Sequence, residues 1–181
     1  MRYLNSLFVT MFALALLLTP VDDAVAQERD NSSARVSPNA AVSQTIGTTV
    51  VDVWYGRPSV NERTIFGGLV PFGERWRAGA NETTTITFSD DVLIQGESVE
   101  AGSYSLHTIP GEESWTIIIN ENHTWGTQYD MAGDVIRVEA EPEEGIYFEQ
   151  MMIYFENVSD ERADLVLHWD ETRVPFEIAI P

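Results

Sequence analysis

Val174-Pro175-Phe176-Glu177-Ile178-Ala179-Ile180 decides the fold. Val174, Phe176, Ile178 and Ile180 recur at every second position, which places them on one face of an extended strand because successive strand side chains point to opposite sides. Reading back along the chain, the same period returns in Leu165, Leu167 and Trp169, in Tyr147, Met151, Ile153 and Phe155, and in Ile136, Val138 and Ala140. Further back it runs through Trp115, Ile117 and Ile119, then Tyr104 and Leu106, then Thr84, Ile86 and Phe88, then Val51, Val53 and Tyr55. Turn residues separate these runs: Ser89-Asp90-Asp91, Gln95-Gly96-Glu97, Ala101-Gly102, Pro110-Gly111, Ala132-Gly133, Pro142 to Gly145, Ser159-Asp160-Glu161 and Asp170-Glu171-Thr172. Many short strands without a long helical period predict an all-β chain, folded as an antiparallel β-sandwich or jelly-roll-like single domain. Ile117-Ile118-Ile119 is apolar on both faces, so that strand belongs inside a sheet.

The 181 residues carry 29 acids against 10 bases, a formal charge of −19, and no cysteine. Disulfide scaffolds, thiolate zinc sites and cysteine nucleophiles are therefore excluded. A nucleic-acid partner is not expected either, since it needs a basic footprint. Every base is arginine, and no lysine occurs. Such an acidic, lysine-free surface matches proteins adapted to salt, where carboxylates hold water and ions screen their repulsion; a genome rich in arginine codons gives the same composition.

At the N-terminus Arg2 precedes an apolar run from Leu7 to Leu18, and Ala24-Val25-Ala26 forms a small-x-small cleavage site, so residues 1–26 read as a signal peptide. Pro20 and Asp22-Asp23 end that run short of the roughly 20 apolar residues of a membrane span, although an uncleaved anchor is the alternative. The expected mature chain starts at Gln27, is extracytoplasmic (periplasmic or secreted), and has no membrane span. Residues 27–37 are polar and without period, and are expected to be a flexible leader. Residues 38–181 show neither a repeat nor a second linker and form one domain.

One stretch breaks the strand pattern. Residues 57–82 are rich in Gly and Pro and contain Arg57, Arg63, Arg75 and Arg77 against Glu62, Glu74 and Glu82, a net +1. The rest of the mature chain has 24 acids and 5 arginines, or −19. A long irregular connection that keeps its arginines in so acidic a chain is expected to be functional.

Within and around this stretch, Tyr55-Gly56-Arg57-Pro58-Ser59, Ile65-Phe66-Gly67-Gly68-Leu69-Val70-Pro71, Trp76-Arg77-Ala78-Gly79-Ala80-Asn81-Glu82, Ala101-Gly102-Ser103-Tyr104-Ser105-Leu106-His107-Thr108-Ile109-Pro110-Gly111 and Trp125-Gly126 resemble the DUF2911 family of bacterial extracytoplasmic proteins. The likeness runs from about Val36 to the C-terminus. It implies a single family domain behind a signal peptide. The family has no assigned function, so the resemblance implies no catalytic residues.

Three function classes fit these residues. The first is a binding module for an anionic or polyhydroxylated, carbohydrate-like ligand. Arg57, Arg75 and Arg77 would fork onto its oxygens, Asn81 would add an amide, and Trp76 or Trp125 would cover its apolar side. The second is a glycan or ester hydrolase using Glu82 or His107, although Gly-x-Ser-x-Gly, phosphate-loop and His-Glu-x-x-His motifs are all missing. In that case Glu82 competes with a structural role as ion-pair partner of Arg75 or Arg77, and His107, in a row with Ser103 and Ser105, with a role as an ordinary strand histidine. The third is an envelope structural or interaction protein, with residues 57–82 as a contact or internal brace. No cofactor is expected. His107, His123 and His168 show no ligand spacing, so no metal is expected either.

The charge makes one direct prediction. Self-repulsion at −18 in the mature chain should weaken the fold at low ionic strength, and screening over about 8 Å at ~0.15 M should relieve it. The melting temperature should therefore rise with added NaCl. A flat or falling curve would leave arginine-rich codon usage as the explanation.

Overall fold

A computed structural model describes residue 29, residues 31–123 and residues 128–181. The expected signal peptide and Trp125 lie outside the described residues. The strands are β1 (Asn39–Ile46), β2 (Thr49–Gly56), β3 (Thr84–Phe88), β4 (Val92–Ile94), β5 (Glu97–Val99), β6 (Gly102–Ile109), β7 (Trp115–Asn120), β8 (Asp134–Ala140), β9 (Glu143–Glu156) and β10 (Arg162–Ala179). One 3-10 turn, Met131–Gly133, is capped by the Asp130 side chain. No described helix is long and apolar enough to cross a membrane.

Two antiparallel sheets form the sandwich, one in the order β1-β2-β3-β6-β7-β8 and the other β5-β4-β10-β9. The alternating residues quoted above supply most of the layer between them, with Val51, Val53, Ile86, Leu106, Ile117 and Ile119 facing Met151, Leu165, Val174, Phe176 and Ile178. Tyr55 also ties the sheets polarly: the Ile153 amide donates to its hydroxyl at 2.9 Å. The hydroxyl's pKa is raised by its burial. β7 lies inside the larger sheet, and Ile118 is fully buried on the face opposite Ile117 and Ile119.

The structure differs from the sequence pattern at Asp170-Glu171-Thr172, which is no turn but the middle of the 18-residue β10. Inward residues are odd-numbered through Trp169 and even-numbered from Val174, so one face can be kept only if the chain gains a residue between them. Asp170 does this with φ +58° and register shifts on both sides of it. Tyr147 is half exposed rather than in the core, because it sits in the β9 half that pairs beyond those shifts.

Residues 57–82 cross from one sheet to the other. At the start, the Met151 amide donates to the Pro58 carbonyl and the Val60 amide to that of Glu149, so Ser59 pairs with Gln150 on the β9 edge. At the far end Trp76 exchanges two backbone hydrogen bonds with Thr108 of β6, of 2.7 and 2.8 Å. The Trp76 ring packs among Phe66, Trp115 and Trp169, stacked on Trp169 with centroids 5.9 Å apart. The return passes over Gly56 at backbone contact: the Ala80 amide donates to the Gly56 carbonyl at 3.2 Å, and a Cβ on Gly56 would lie 2.2 Å from the Ala80 oxygen. Gly56→Ala should therefore cost about 2–3 kcal/mol, read by urea unfolding. A loss within error of zero would show that the segment yields freely at this crossing.

Candidate functional site

The crossing segment encloses a cleft of about 340 Å³ against the end of the sandwich. Its lining includes Ser37, Ser59, Arg63, Trp76, Arg77 and Trp169, and it contains two arginines but no Asp or Glu. That is unusual in a chain with 29 acids. Arg63 spends Nε on the Val60 carbonyl (2.9 Å) and Nη2 on that of Ser59 (2.6 Å), which fixes the guanidinium, while Glu149, outside the lining, accepts from the Asn61 amide at 3.1 Å and is the carboxylate that feels the Arg63 charge. Arg77 makes no ion pair among the described residues, and its Nε is buried without an acceptor. Burial, and after it the neighbouring Arg75, lowers the Arg77 pKa. Trp169 is 2% exposed, and its indole N–H also lacks an acceptor. The unmet polar atoms of Arg77 and Trp169 are thus both donors.

A larger groove, about 1100 Å³, lies among Asp160, Glu161, Asp164 and Glu177. Its carboxylates outnumber Arg162, so it repels the ligand class that the arginines would attract.

The expected site residues divide between binding and bracing positions. Trp76 and Arg77 line the cleft, with Trp76 packed into the aromatic cluster rather than laid flat at the surface. Arg57 is outside the lining: its Nε donates to the Met151 carbonyl at 2.8 Å and pins the end of β2 to β9. Asn81, at φ +64°, donates from Nδ2 to the Ser37 carbonyl at 2.9 Å. Arg75 turns to His107, with Nη1 3.0 Å from Nδ1, and its guanidinium carbon lies 4.5 Å from the Tyr129 ring centroid. The Arg75 pKa is lowered by burial, with Tyr129 opposing.

Glu82 is 3% exposed and paired, but its partners are Arg35 and Arg29 instead of Arg75 or Arg77. Arg35 donates from both terminal nitrogens to the two carboxylate oxygens, at 2.6 and 2.8 Å, and Arg29 Nη1 lies 3.6 Å away. The Arg35 hydrogen bonds hold the Glu82 pKa below the ordinary range against the opposing effect of burial. A carboxylate so engaged is held in its charged form and acts as a brace between the two arginines.

His107 leaves β6 on the face opposite the core residue Leu106 and is 1% exposed. A guanidinium can only donate, so Nδ1 accepts from Arg75 and the neutral ring carries its proton on Nε2, which has no partner among the described residues. Burial first, then Arg75, push the pKa down to about 4, with Asp134 opposing. The ring meets Tyr129 edge-on at 5.1 Å, and the Tyr129 hydroxyl donates to Asp134, which also receives Arg137 Nε (2.8 Å) and Asn120 Nδ2 (2.7 Å). His168 instead sits on β10, bonded to Ile146 and Tyr154, while His123 meets the Ser103 carbonyl, so the three histidines do not converge.

The titration of His107 has a defined sign. Its folded pKa lies below the unfolded value of about 6.5, so the unfolded chain binds the proton first as pH falls. The stability tied to its neutral form is fully present above pH ~6.5 and is lost on the way down to about 4, a change of order 3 kcal/mol. His107→Phe should flatten the pH dependence of urea unfolding in that window relative to the parent. Parallel curves would mean that the ring protonates freely in the fold.

Comparison with known proteins found no match among curated proteins and none among solved structures. The sequence profile of DUF2911, described as a protein of unknown function, matches residues 37–178. Both docking ends of the crossing segment, the cleft lining from Ser37 to Trp169, and Glu82 and His107 fall within this span. The chain belongs to the DUF2911 family.

Proposed function

We propose that this is an extracytoplasmic binding module whose cleft, between the 57–82 segment and the end of the sandwich, receives an anionic or polyhydroxylated, carbohydrate-like ligand. The observation that carries the reading is the absence of any acid from a lining that holds Arg63, Arg77 and the unpaired indole donor of Trp169. At −19 the protein repels anions at long range, so a site for one has to gather positive groups locally and keep carboxylates away. Arginine suits this because it stays charged when buried and forks onto carboxylate or phosphate oxygens. The apolar side of a sugar ring would meet Leu69, Val70 and the Trp76 edge, and the volume is of the size that takes a small ligand.

Hydrolysis draws less support from the same geometry. Glu82 is clamped by two arginines, and the His107 nitrogen that could accept a proton is already engaged by Arg75. The signal-like N-terminus supports the extracytoplasmic assignment.

A thermal-shift screen of the mature chain against acidic glycans, neutral glycans and small metabolites tests the proposal. Arg77→Ala should abolish any hit while moving the ligand-free melting temperature by less than about 3 °C, since no described ion pair is lost with it. Arg57→Ala should lower the melting temperature and leave binding in place. Binding that survives Arg77→Ala and Arg63→Ala alike would refute the cleft.

A further inference from the structure

The stretch before the domain is polar, yet its arginines are built into the fold. Arg29 is 7% exposed and donates from Nη2 to the carbonyls of Trp54 (3.0 Å) and Thr83 (2.7 Å). Its burial lowers its pKa to about 10, with Glu82 opposing and Arg35 adding to the shift. Arg35 grips both oxygens of Glu82, Asn81 holds the Ser37 carbonyl, and the Arg57 amide holds that of Pro38. Val36 and Ser37 are themselves part of the cleft lining.

We infer that Arg29 and residues 31–37 belong to a strap whose end, Val36 and Ser37, forms one wall of the cleft, with Glu82 as its latch, so that access to the cleft is governed by release of the strap. This rests on the reading of the cleft given above. Glu82 is the carboxylate shared by two guanidinium groups that would otherwise repel each other. Both are drawn to one point, at the start of β3 and beside Asn81, which holds the last strap residue. The strap has little apolar anchorage: residues 31–34 are exposed and Val36 is 92% exposed. A segment held by polar contacts and little buried apolar surface opens at lower free energy than the sandwich beneath it. The strap can therefore leave the cleft while the sheets stay paired.

The chain has no cysteine, so Ser59→Cys gives a unique thiol in the cleft lining, and Thr116→Cys, on β7, gives a control in a separate protein. Thiosulfonate reagents that are neutral, anionic or cationic but equal in size report access and local charge. Glu82→Gln, placed in each thiol background, should raise the rate of all three reagents at Ser59→Cys by about tenfold and leave Thr116→Cys unchanged. Arg35→Ala should act in the same direction and keeps the Arg29–Glu82 contact, so it serves where Glu82→Gln fails to fold. An Arg35→Ala protein that melts with its parent yet labels no faster at Ser59→Cys overturns the strap, as does equal acceleration at the two thiols. The anionic-to-cationic rate ratio reads the cleft separately. A ratio below that at Thr116→Cys refutes the anion site, and the strap is still judged by the effect of the latch variants.

Discussion

The Trp76–Thr108 backbone pairing is the contact on which the rest of this molecule depends. It stitches a 26-residue irregular crossing into the larger sheet at the place where β3 has not yet begun, since β3 starts at Thr84 opposite Leu106. An aromatic ring is thereby driven into the open end of the sandwich, where Phe66, Trp115 and Trp169 close around it with largely edge-to-face contacts. Such rings bury large areas and gain about 0.5–1.5 kcal/mol per pair from their geometry, enough to hold a segment that has few ladder hydrogen bonds of its own. The residues flanking Trp76 are Arg75 and Arg77, so the plug that closes the core also places two guanidinium groups next to each other.

Those two cations have no carboxylate among the described residues, whereas Glu82, a few residues later, is shared by two others. If pairing alone governed the arrangement, an acid among the 29 would be expected near Arg77. Arg35 shows what a paired arginine looks like here, with both terminal nitrogens on the two Glu82 oxygens, while Arg29 shares that carboxylate and bonds two carbonyls although its Nε and Nη1 have no hydrogen-bond partner among the described residues. Losing one partner from such a buried set typically costs about 3–5 kcal/mol, which makes the latch a stabilising element as well as a point of control. Arg77 departs from that pattern, and Trp169 repeats the departure with a neutral donor.

Much of the fold was legible because its core is periodic. Val174, Phe176, Ile178 and their counterparts specify strands, and Ile118 marks an interior one. What escaped was a change of phase: Asp170-Glu171-Thr172 has the composition of a turn, and only the switch from odd to even inward residues across it signals a bulge instead. At the candidate site, net charge drew attention to the 57–82 segment, part of which lines the cleft, but it could not sort its arginines. Arg57 and Arg77 differ in what the distant chain offers them, a Met151 carbonyl in one case and no described acceptor in the other. Trp169 in the cleft lining, and Arg29, Arg35 and Tyr129 around Glu82 and His107, were not among the expected residues. Arg29 and Arg35 lie in a stretch that reads as a leader, and Trp169 reads by alternation as core, which it is; only its unpaired N–H gives it a second aspect. Tyr129 follows His123 and Trp125 in sequence, and that closeness was the available hint.

The unpaired donors of Arg77 and Trp169 offer the most direct test of the anion cleft. In ¹H–¹⁵N correlation spectra of the mature protein, the Arg77 Nε–H and Trp169 Nε1–H signals, assigned by substitution, can be followed while inorganic phosphate or a simple uronic acid is added at constant ionic strength. The account predicts that at least one of these probes moves both signals in a saturable manner, leaving Arg57 Nε–H in place at its Met151 carbonyl. Signals from Arg77 and Trp169 that stay fixed, or that drift no more than Arg57 does, would contradict it.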